Sequence, residues 1–290
     1  MSAELLDGNA FLERTKERLR GRVDALIDRG ITPGLGTILV GDDPNSSAYV
    51  RSKRDDGAEI GIGSHHRELP ADVSWTHLHA EINAFNHDPA VDAFIVQLPL
   101  PDGIDEAAAL LAIDPEKDAD GLHPVNLGRL VMGVKGPRPC TPLGIQGLLA
   151  EHGVEIAGKH VVIIGRGLTI GRPLALLLAL KEPNANAAVT VVHTGVDDLA
   201  SYTRRADILI AAAGRASIVT PDMVKPGAAV VSAGITMDGR KVVPDVDESV
   251  AEVAGWITPR LGGVGPTTRA MLLSNTVDAA ERRAGLDSER

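Results

Sequence analysis

Apolar residues recur along this chain with two different periods, and the alternation between them predicts the architecture. Leu12, Leu19, Val23, Leu26 and Ile27 fall on one side of a helical repeat that Gly30 is placed to end. Leu35–Val40 reads as a strand, followed by a loop through Gly41, Asp42, Asp43 and Pro44. Ser46 or Ser47 stands where the cap of a helix running through Tyr49, Val50 and Lys53 towards Ile60 belongs. A weaker strand near His65–Leu69 leads to an amphipathic helix with Trp75, Leu78, Ile82 and Phe85. Phe94–Leu98 is a short buried strand stopped by Pro99 and Pro101, and Asp105–Ile113 reads as helix. From Asp114 to Pro139 the periodicity fails, which predicts a long loop of functional or connecting kind. Thr141, with Pro142 behind it, then marks a helix start.

The second half centres on Lys159–Lys181. Val161, Val162, Ile163 and Ile164 are β-formers without polar alternation, as a strand buried on both faces of a parallel sheet requires. Gly165, Gly167 and Gly171 follow, and then an apolar helical run. Further strands read at Val189–Val192, Ile208–Ala212 and Ala228–Ser232, with short helices from Asp198 and from Thr220-Pro221. A hairpin is expected at Asp238-Gly239, a glycine loop over 260–268, and a helix from Thr268 to about Arg283. Strands alternating with helices predict the α/β class. At 290 residues the chain suits two domains of about 150 residues each, with a cleft between them. The second domain is of dinucleotide-binding type.

Composition narrows the function. Aromatics make up only 2%, so Val, Ile, Leu and Ala must build the core. A net charge of −10 argues against non-specific binding to nucleic acid or an anionic membrane. The longest apolar runs fall far short of the roughly 20 residues that span a bilayer. The first residues carry no basic-then-apolar secretory pattern, and the single Cys140 excludes an internal disulfide. These features read as a soluble cytoplasmic protein. No metal is expected, because His65-His66 and His77-x-His79 lack ligand spacing. Cys140 has no histidine beside it and reads as a structural thiol.

Strand, glycine turn and helix bring backbone N–H groups against a phosphate. The spacing G-x-G-x-x-x-G is one residue longer than the usual dinucleotide fingerprint. The following strand ends Val191-Val192-His193-Thr194, with no acid for a ribose hydroxyl, and Arg166 sits in the turn. A guanidinium and a hydroxyl suit a 2′-phosphate, which favours NADP over NAD. Tyr49 and Lys53, four apart on a helix, share a face, and a lysine desolvated beside a ring can serve as a general base. Gln97 places an amide at the C-terminal end of a strand, where α/β sheets bind ligands. Asp120, ahead of Gly121, puts a carboxylate in the long loop, with Asp114 and Asp118 as rivals for its role.

The segments GDDPNSSAYVRSK (41–53), VQLPLP (96–101), KDADGLHPVNLGRL (117–130), PCTPLG (139–144), VVIIGRGLTIGRP (161–173) and ITPRLGGVGPTT (257–268) carry a family resemblance. The chain resembles bifunctional methylenetetrahydrofolate dehydrogenase/methenyltetrahydrofolate cyclohydrolase. That resemblance implies a folate-binding catalytic domain over 1–140, completed by 268–290, and an NADP-binding Rossmann-type domain over 141–267. It implies oxidation of 5,10-methylenetetrahydrofolate by NADP⁺ to the methenyl cation, then hydrolysis to 10-formyltetrahydrofolate, as part of one-carbon metabolism and purine biosynthesis. Lys53 matches the catalytic lysine, Tyr49 the tyrosine that stacks on folate, and Gln97 the glutamine that hydrogen-bonds the lysine. Asp120 matches the carboxylate that holds the pterin. Gly262, Gly263, Val264, Gly265 and Pro266 would line the folate site, and Gly165, Arg166, Gly167, Thr194 and Ile235 would contact the dinucleotide. A homodimer through the dinucleotide-binding domain is implied as well.

Gly167 stands where many members have serine, Leu261 where proline is common, and Ser232-Ala233 where Asp-Val is usual. These departures bear on cofactor preference and on the balance of the two activities. The rival readings are a dehydrogenase with weak cyclohydrolase activity or NAD preference, a non-catalytic dinucleotide sensor, and a dehydrogenase of another imine or hydroxy acid. The sensor predicts loss of Lys53 or Gln97, and both are present.

Overall fold

The apolar runs fold as parallel strands in two separate sheets, and the periodic stretches become the helices that join them. The structure is a computed structural model describing residues 3–238 and 241–286. The chain forms two compact units: one holds the N-terminus through Leu12 with Thr141–Thr268, the other Glu13–Cys140 with the chain from Arg269 onward. A two-residue strand, β1 (Glu4–Leu5), precedes α1 (Gly8–Ile27).

The unit containing Glu13–Cys140 is built on a parallel sheet of β2 (Gly34–Val40), β3 (Gly63–Leu69) and β4 (Ala93–Val96), in the order β3-β2-β4. Every residue of β2 and β4 is buried, which explains their unbroken apolar sequence. The edge strand β3 is only partly buried, with Ser64, Arg67 and Glu68 exposed, so its signal is weaker. The crossovers are α2 (Pro44–Glu59) and α3 (Trp75–His87). Leu78, Ile82 and Phe85 of α3 pack on Ile38, Val40, Phe94 and Val96. Phe85 and Phe94 meet edge to face, centroids 5.5 Å apart. Gly36 passes beneath them, because a Cβ there would lie 2.6 Å from Phe94 Cβ. A second core joins Leu19, Val23 and Leu26 to Leu35, Ile95, Leu272, Leu273 and Val277.

Helix starts differ from the sequence expectation in one consistent way. Helix α2 begins at Pro44, not at a serine cap, and the Asp43 carboxylate accepts the Ser46 N–H at 2.8 Å. Proline supplies a helical φ and needs no N–H partner at that position, so an Asp-Pro pair wins over the serines behind it. After α4 (Glu106–Leu111), the stretch expected as loop contains α5 (Pro124–Met132). His123 caps it, Pro124 opens it, and Gly133 ends it in the left-handed region at φ 65°. Exposed Val125, Val131 and Met132 obscured its periodicity. Helix α6 (Cys140–Glu151) starts just before the expected Thr141 cap.

The other unit holds β5 (His160–Ile164), α7 (Gly171–Ala179), β6 (Ala188–Val192), α8 (Leu199–Thr203), β7 (Ile208–Ala211) and β8 (Ala229–Ser232). The hairpin strands β9 (Ile235–Asp238) and β10 (Lys241–Pro244) pair antiparallel, with Ile235 opposite Pro244. Gly239, expected at their turn, lies outside the described residues. Strand β11 (Trp256–Ile257) and β1, both too short to show a period, complete a six-stranded parallel sheet in the order β1-β11-β8-β7-β5-β6. The last helix, α9 (Val264–Arg283), begins ahead of the expected Thr268, so Gly265 and Pro266 belong to its first turn and not to a loop. Proline is tolerated there for the same reason as at Pro44. Among the described residues, no helix is long and apolar enough to cross a membrane.

The packing of α3 on its sheet is directly testable. Phe94→Ala should lower unfolding free energy by about 3–5 kcal/mol in urea titrations, from lost burial and a residual cavity. A loss below about 1 kcal/mol would contradict the packing described.

Candidate functional site

The C-terminal ends of β2 and β4 carry the first cluster of chemical groups. Tyr49 and Lys53 lie one turn apart on α2, and Lys53 is only 2% exposed. Its Nζ stands 4.6 Å from the Tyr49 ring centroid and donates to Gln97 Oε1 at 3.1 Å. Gln97 is the residue after β4, and its backbone N–H extends the ladder to Ile38 O at 2.9 Å. Its Nε2 donates to Leu98 O at 2.6 Å, which turns the amide so that its oxygen faces the lysine. Lys53 therefore contacts both Tyr49 and Gln97. The result is an amino group withdrawn from bulk water, facing a ring and held by a neutral acceptor. Such a group is suited to moving a proton on a bound ligand.

The three rival carboxylates are told apart by their surroundings. Asp114 is exposed and closes a local turn by accepting the Glu116 N–H at 2.9 Å. Asp118 is 2% exposed; its Oδ1 accepts from Gly121 N at 3.0 Å, and its Oδ2 from His123 N at 2.8 Å and Asn126 Nδ2 at 2.9 Å. Burial pushes its pKa up, while those hydrogen bonds pull it down. Asp118 is thus a scaffold for the loop. Asp120 is the remaining candidate: it is half-buried, and among the described residues its carboxylate accepts no hydrogen bond. A parallel bridge between Phe94 and Asp118 runs the chain alongside β4 and carries Asp120 towards the end of β4, where Gln97 sits.

Cys140 lies at the junction of these groups. Its N–H donates to Asp120 O at 3.1 Å, and its buried thiol donates to Ala119 O at 3.2 Å. Burial pushes the thiol pKa well up and the Asp120 charge adds to this, opposed by the Lys53 side chain. Sequence reasoning missed the scaffold of Asp118 and Asn126. The available signal was an Asp two residues before an Asp-Gly turn, followed by a His-Pro helix start.

The second cluster follows β5. Gly165 has φ 125°, and a Cβ there would collide with Ala212 O. A Cβ on Gly171 would in turn collide with Gly165 O, so the turn and the start of α7 require both glycines. Gly167 faces open space, where a larger side chain would fit. No side chain caps α7 at Ile170; the Arg172 N–H donates to Gly167 O at 3.1 Å and Pro173 has none, so Gly171 carries the first-turn N–H that an anion could take. Arg166 is exposed on the turn, Thr194 lies just past the acid-free end of β6, and exposed Ile235 opens β9. The donor set fits a dinucleotide whose ribose bears a phosphate. Gly262–Pro266 belongs to this unit, not to the one carrying Lys53. Gly8 N donates to Gly262 O at 2.8 Å, Gly263 follows in the same turn, and Val264, Gly265 and Pro266 form the first turn of α9.

Two family models match the chain. Residues 6–120 match the family described as tetrahydrofolate dehydrogenase/cyclohydrolase, catalytic domain, and residues 139–284 match its NAD(P)-binding domain. The bifunctional protein FolD of Syntrophotalea carbinolica is 61% identical over 284 residues, 98% of each chain. The crystal structure of the bifunctional methylenetetrahydrofolate dehydrogenase/cyclohydrolase of Campylobacter jejuni superposes with a TM-score of 0.92 at 44% identity, covering 97% of this chain and 100% of that one. The Trypanosoma brucei enzyme, solved with NADP and an inhibitor, gives a TM-score of 0.92 at 42% identity over 98% of this chain and 99% of that one.

The raised thiol pKa has a simple consequence. At pH 8 native Cys140 should react with iodoacetamide at most about a hundredth as fast as in urea, since the thiolate is the nucleophile and burial suppresses it. Equal rates in the two states, read by mass spectrometry, would contradict the described burial.

Proposed function

This chain belongs to the tetrahydrofolate dehydrogenase/cyclohydrolase family, and on that premise we propose how its residues divide the two reactions between them. The protein is a bifunctional enzyme of one-carbon folate chemistry. It oxidises 5,10-methylenetetrahydrofolate with NADP⁺ and hydrolyses the resulting 5,10-methenyl cation to 10-formyltetrahydrofolate. The observation that carries the assignment of roles is the buried Lys53, bonded to Gln97 and facing Tyr49.

Tyr49 offers a flat face for the pterin ring, and Asp120 a carboxylate to accept its N–H donors. Gln97 orients the lysine, leaving its remaining hydrogen-bonding capacity for the reacting centre. In hydrolysis, Lys53 takes a proton from water as the oxygen–carbon bond forms, and returns one to the ring nitrogen as the carbon–nitrogen bond opens. Gly165, Gly167 and the uncapped start of α7 would hold the pyrophosphate of NADP⁺, with Arg166 and Thr194 on the 2′-phosphate and Ile235 on the nicotinamide side. NADP⁺ held there would supply the acceptor for the hydride that leaves the methylene carbon.

We also propose that the enzyme is a cytoplasmic homodimer that supplies formyl groups for purine synthesis. Support for a dimer through the six-stranded sheet comes from its edge strand β6, where Val191 is 40% exposed, and from Leu176 on α7, 38% exposed.

Two measurements test this reading. Lys53→Met should bind NADPH normally but hydrolyse methenyltetrahydrofolate at least about 100-fold more slowly, the usual scale of a lost proton-transfer group; undiminished hydrolysis would remove Lys53 from the mechanism. Arg166→Ser should raise KM for NADP⁺ about 10–100-fold and leave that for NAD⁺ within about twofold, the scale of one charge-assisted contact. Equal effects on both nucleotides would place Arg166 away from the 2′-phosphate.

A further inference from the structure

Asp245 follows β10, and no step above uses it. Its side chain is completely buried, 0% exposed. Its Oδ2 accepts the N–H groups of Ala213 at 2.7 Å and Gly214 at 2.9 Å, and its Oδ1 accepts that of Arg215 at 2.8 Å. Three consecutive backbone donors converging on one anion form the kind of nest that binds phosphate. Here the protein's own carboxylate fills it. The same side chain also abuts the segment leaving β8, since a Cβ on Gly234 would collide with Asp245 Oδ2. The Asp245 backbone N–H donates to Gly234 O at 3.2 Å.

One carboxylate thus clamps both segments that leave the C-terminal ends of β7 and β8. Each is part of the ground on which a dinucleotide would rest. The first begins at Ala212, whose carbonyl fills the space where Gly165 would carry a Cβ. The second continues directly from Gly234 into Ile235. Thr236 adds a bond between the two, its Oγ1 donating to Gly214 O at 3.1 Å. Among the described residues, the hydrogen bonds to the Asp245 carboxylate come from the Ala213–Arg215 backbone. A buried carboxylate held only by backbone N–H groups makes the shape of that backbone depend on it.

We infer that Asp245 is a positioning residue for the nucleotide: by fixing residues 213–215 and Gly234–Ile235 it preforms the dinucleotide site without touching the ligand. The inference rests on the NADP reading above. Hydrolysis of methenyltetrahydrofolate needs no nucleotide and is assigned to residues of the other unit, so the two roles separate experimentally. In Asp245→Asn, an amide N–H replaces one acceptor and opposes the loop donors. The NADPH dissociation constant, read by nucleotide fluorescence, should rise about tenfold or more, and KM for NADP⁺ should rise with it, the scale of a lost charge-assisted bond. Saturated kcat and nucleotide-free hydrolysis should stay within about twofold. Thr236→Val, which removes only the bond to Gly214, keeps the test open if Asp245→Asn does not fold. It should weaken NADPH binding about two- to fivefold with hydrolysis unchanged, the scale of one neutral hydrogen bond. Unchanged NADPH affinity in folded Asp245→Asn or in Thr236→Val overturns the inference, as does a parallel fall of both activities. Wild-type protein that binds no NADPH would instead overturn the cofactor reading on which it rests.

Discussion

A lysine that is 2% exposed must find polar company inside the protein, and the bond from Lys53 Nζ to Gln97 Oε1 is how this fold provides it. The bond is possible because parallel strands send all their C-terminal ends to one edge. Helix α2 leaves β2 and β4 ends at Val96, so a side chain from the helix and the first residue past the neighbouring strand come together there. That edge also receives the segment running beside Phe94, which brings Asp120. Topology thus does what no local propensity can: it gathers an amine, an amide, a ring and a carboxylate from residues far apart in sequence.

Both units solve the problem of shaping a loop at such an edge in the same way. Asp118 in one and Asp245 in the other are buried carboxylates that accept backbone N–H groups from the loop they organise. Burial pushes both pKa values up, and the hydrogen bonds oppose that. A carboxylate offers several acceptor positions, so it can bind two or three donors of an irregular backbone that has no sheet or helix to satisfy it. Each has a glycine close by, Gly121 with φ 72° and Gly234 with no room for a Cβ. Asp120, by contrast, is half-buried with no hydrogen bond on its carboxylate among the described residues, and Arg166 stands exposed beside a helix start that no side chain caps.

Much of this was legible beforehand, for identifiable reasons. The buried strands announced themselves because Val161–Ile164 and Leu35–Val40 face protein on both sides and so carry little polar pattern. Helix bounds were less legible. Asp43-Pro44 and His123-Pro124 start α2 and α5, and in each the residue before proline supplies the cap. Strands β1 and β11 are two residues long, and nothing local distinguishes them from loop; only the pairing of β11 with β8, and of β1 with β11, makes them strands. The glycine segment before Thr268 read as loop, yet tertiary contacts at Gly8 and Asn9 hold its first part and helix takes the rest.

By itself the sequence determined the long buried strands and most of the helices, their alternating order, the glycine turn and the absence of an acid at the end of β6. These depend on periodicity and on steric needs local to a few residues. It also supplied the motifs that carry the family resemblance. Only the tertiary structure sets the surroundings of Asp114, Asp118 and Asp120 apart, because their difference lies in burial and in partners up to Asn126, not in residue type. Only the tertiary structure revealed that Asp245 reaches back to Ala213–Arg215, some thirty positions earlier. A carboxylate reads the same in sequence whether it meets water, a ligand or its own backbone, and the desolvation that separates those cases is a property of the folded chain.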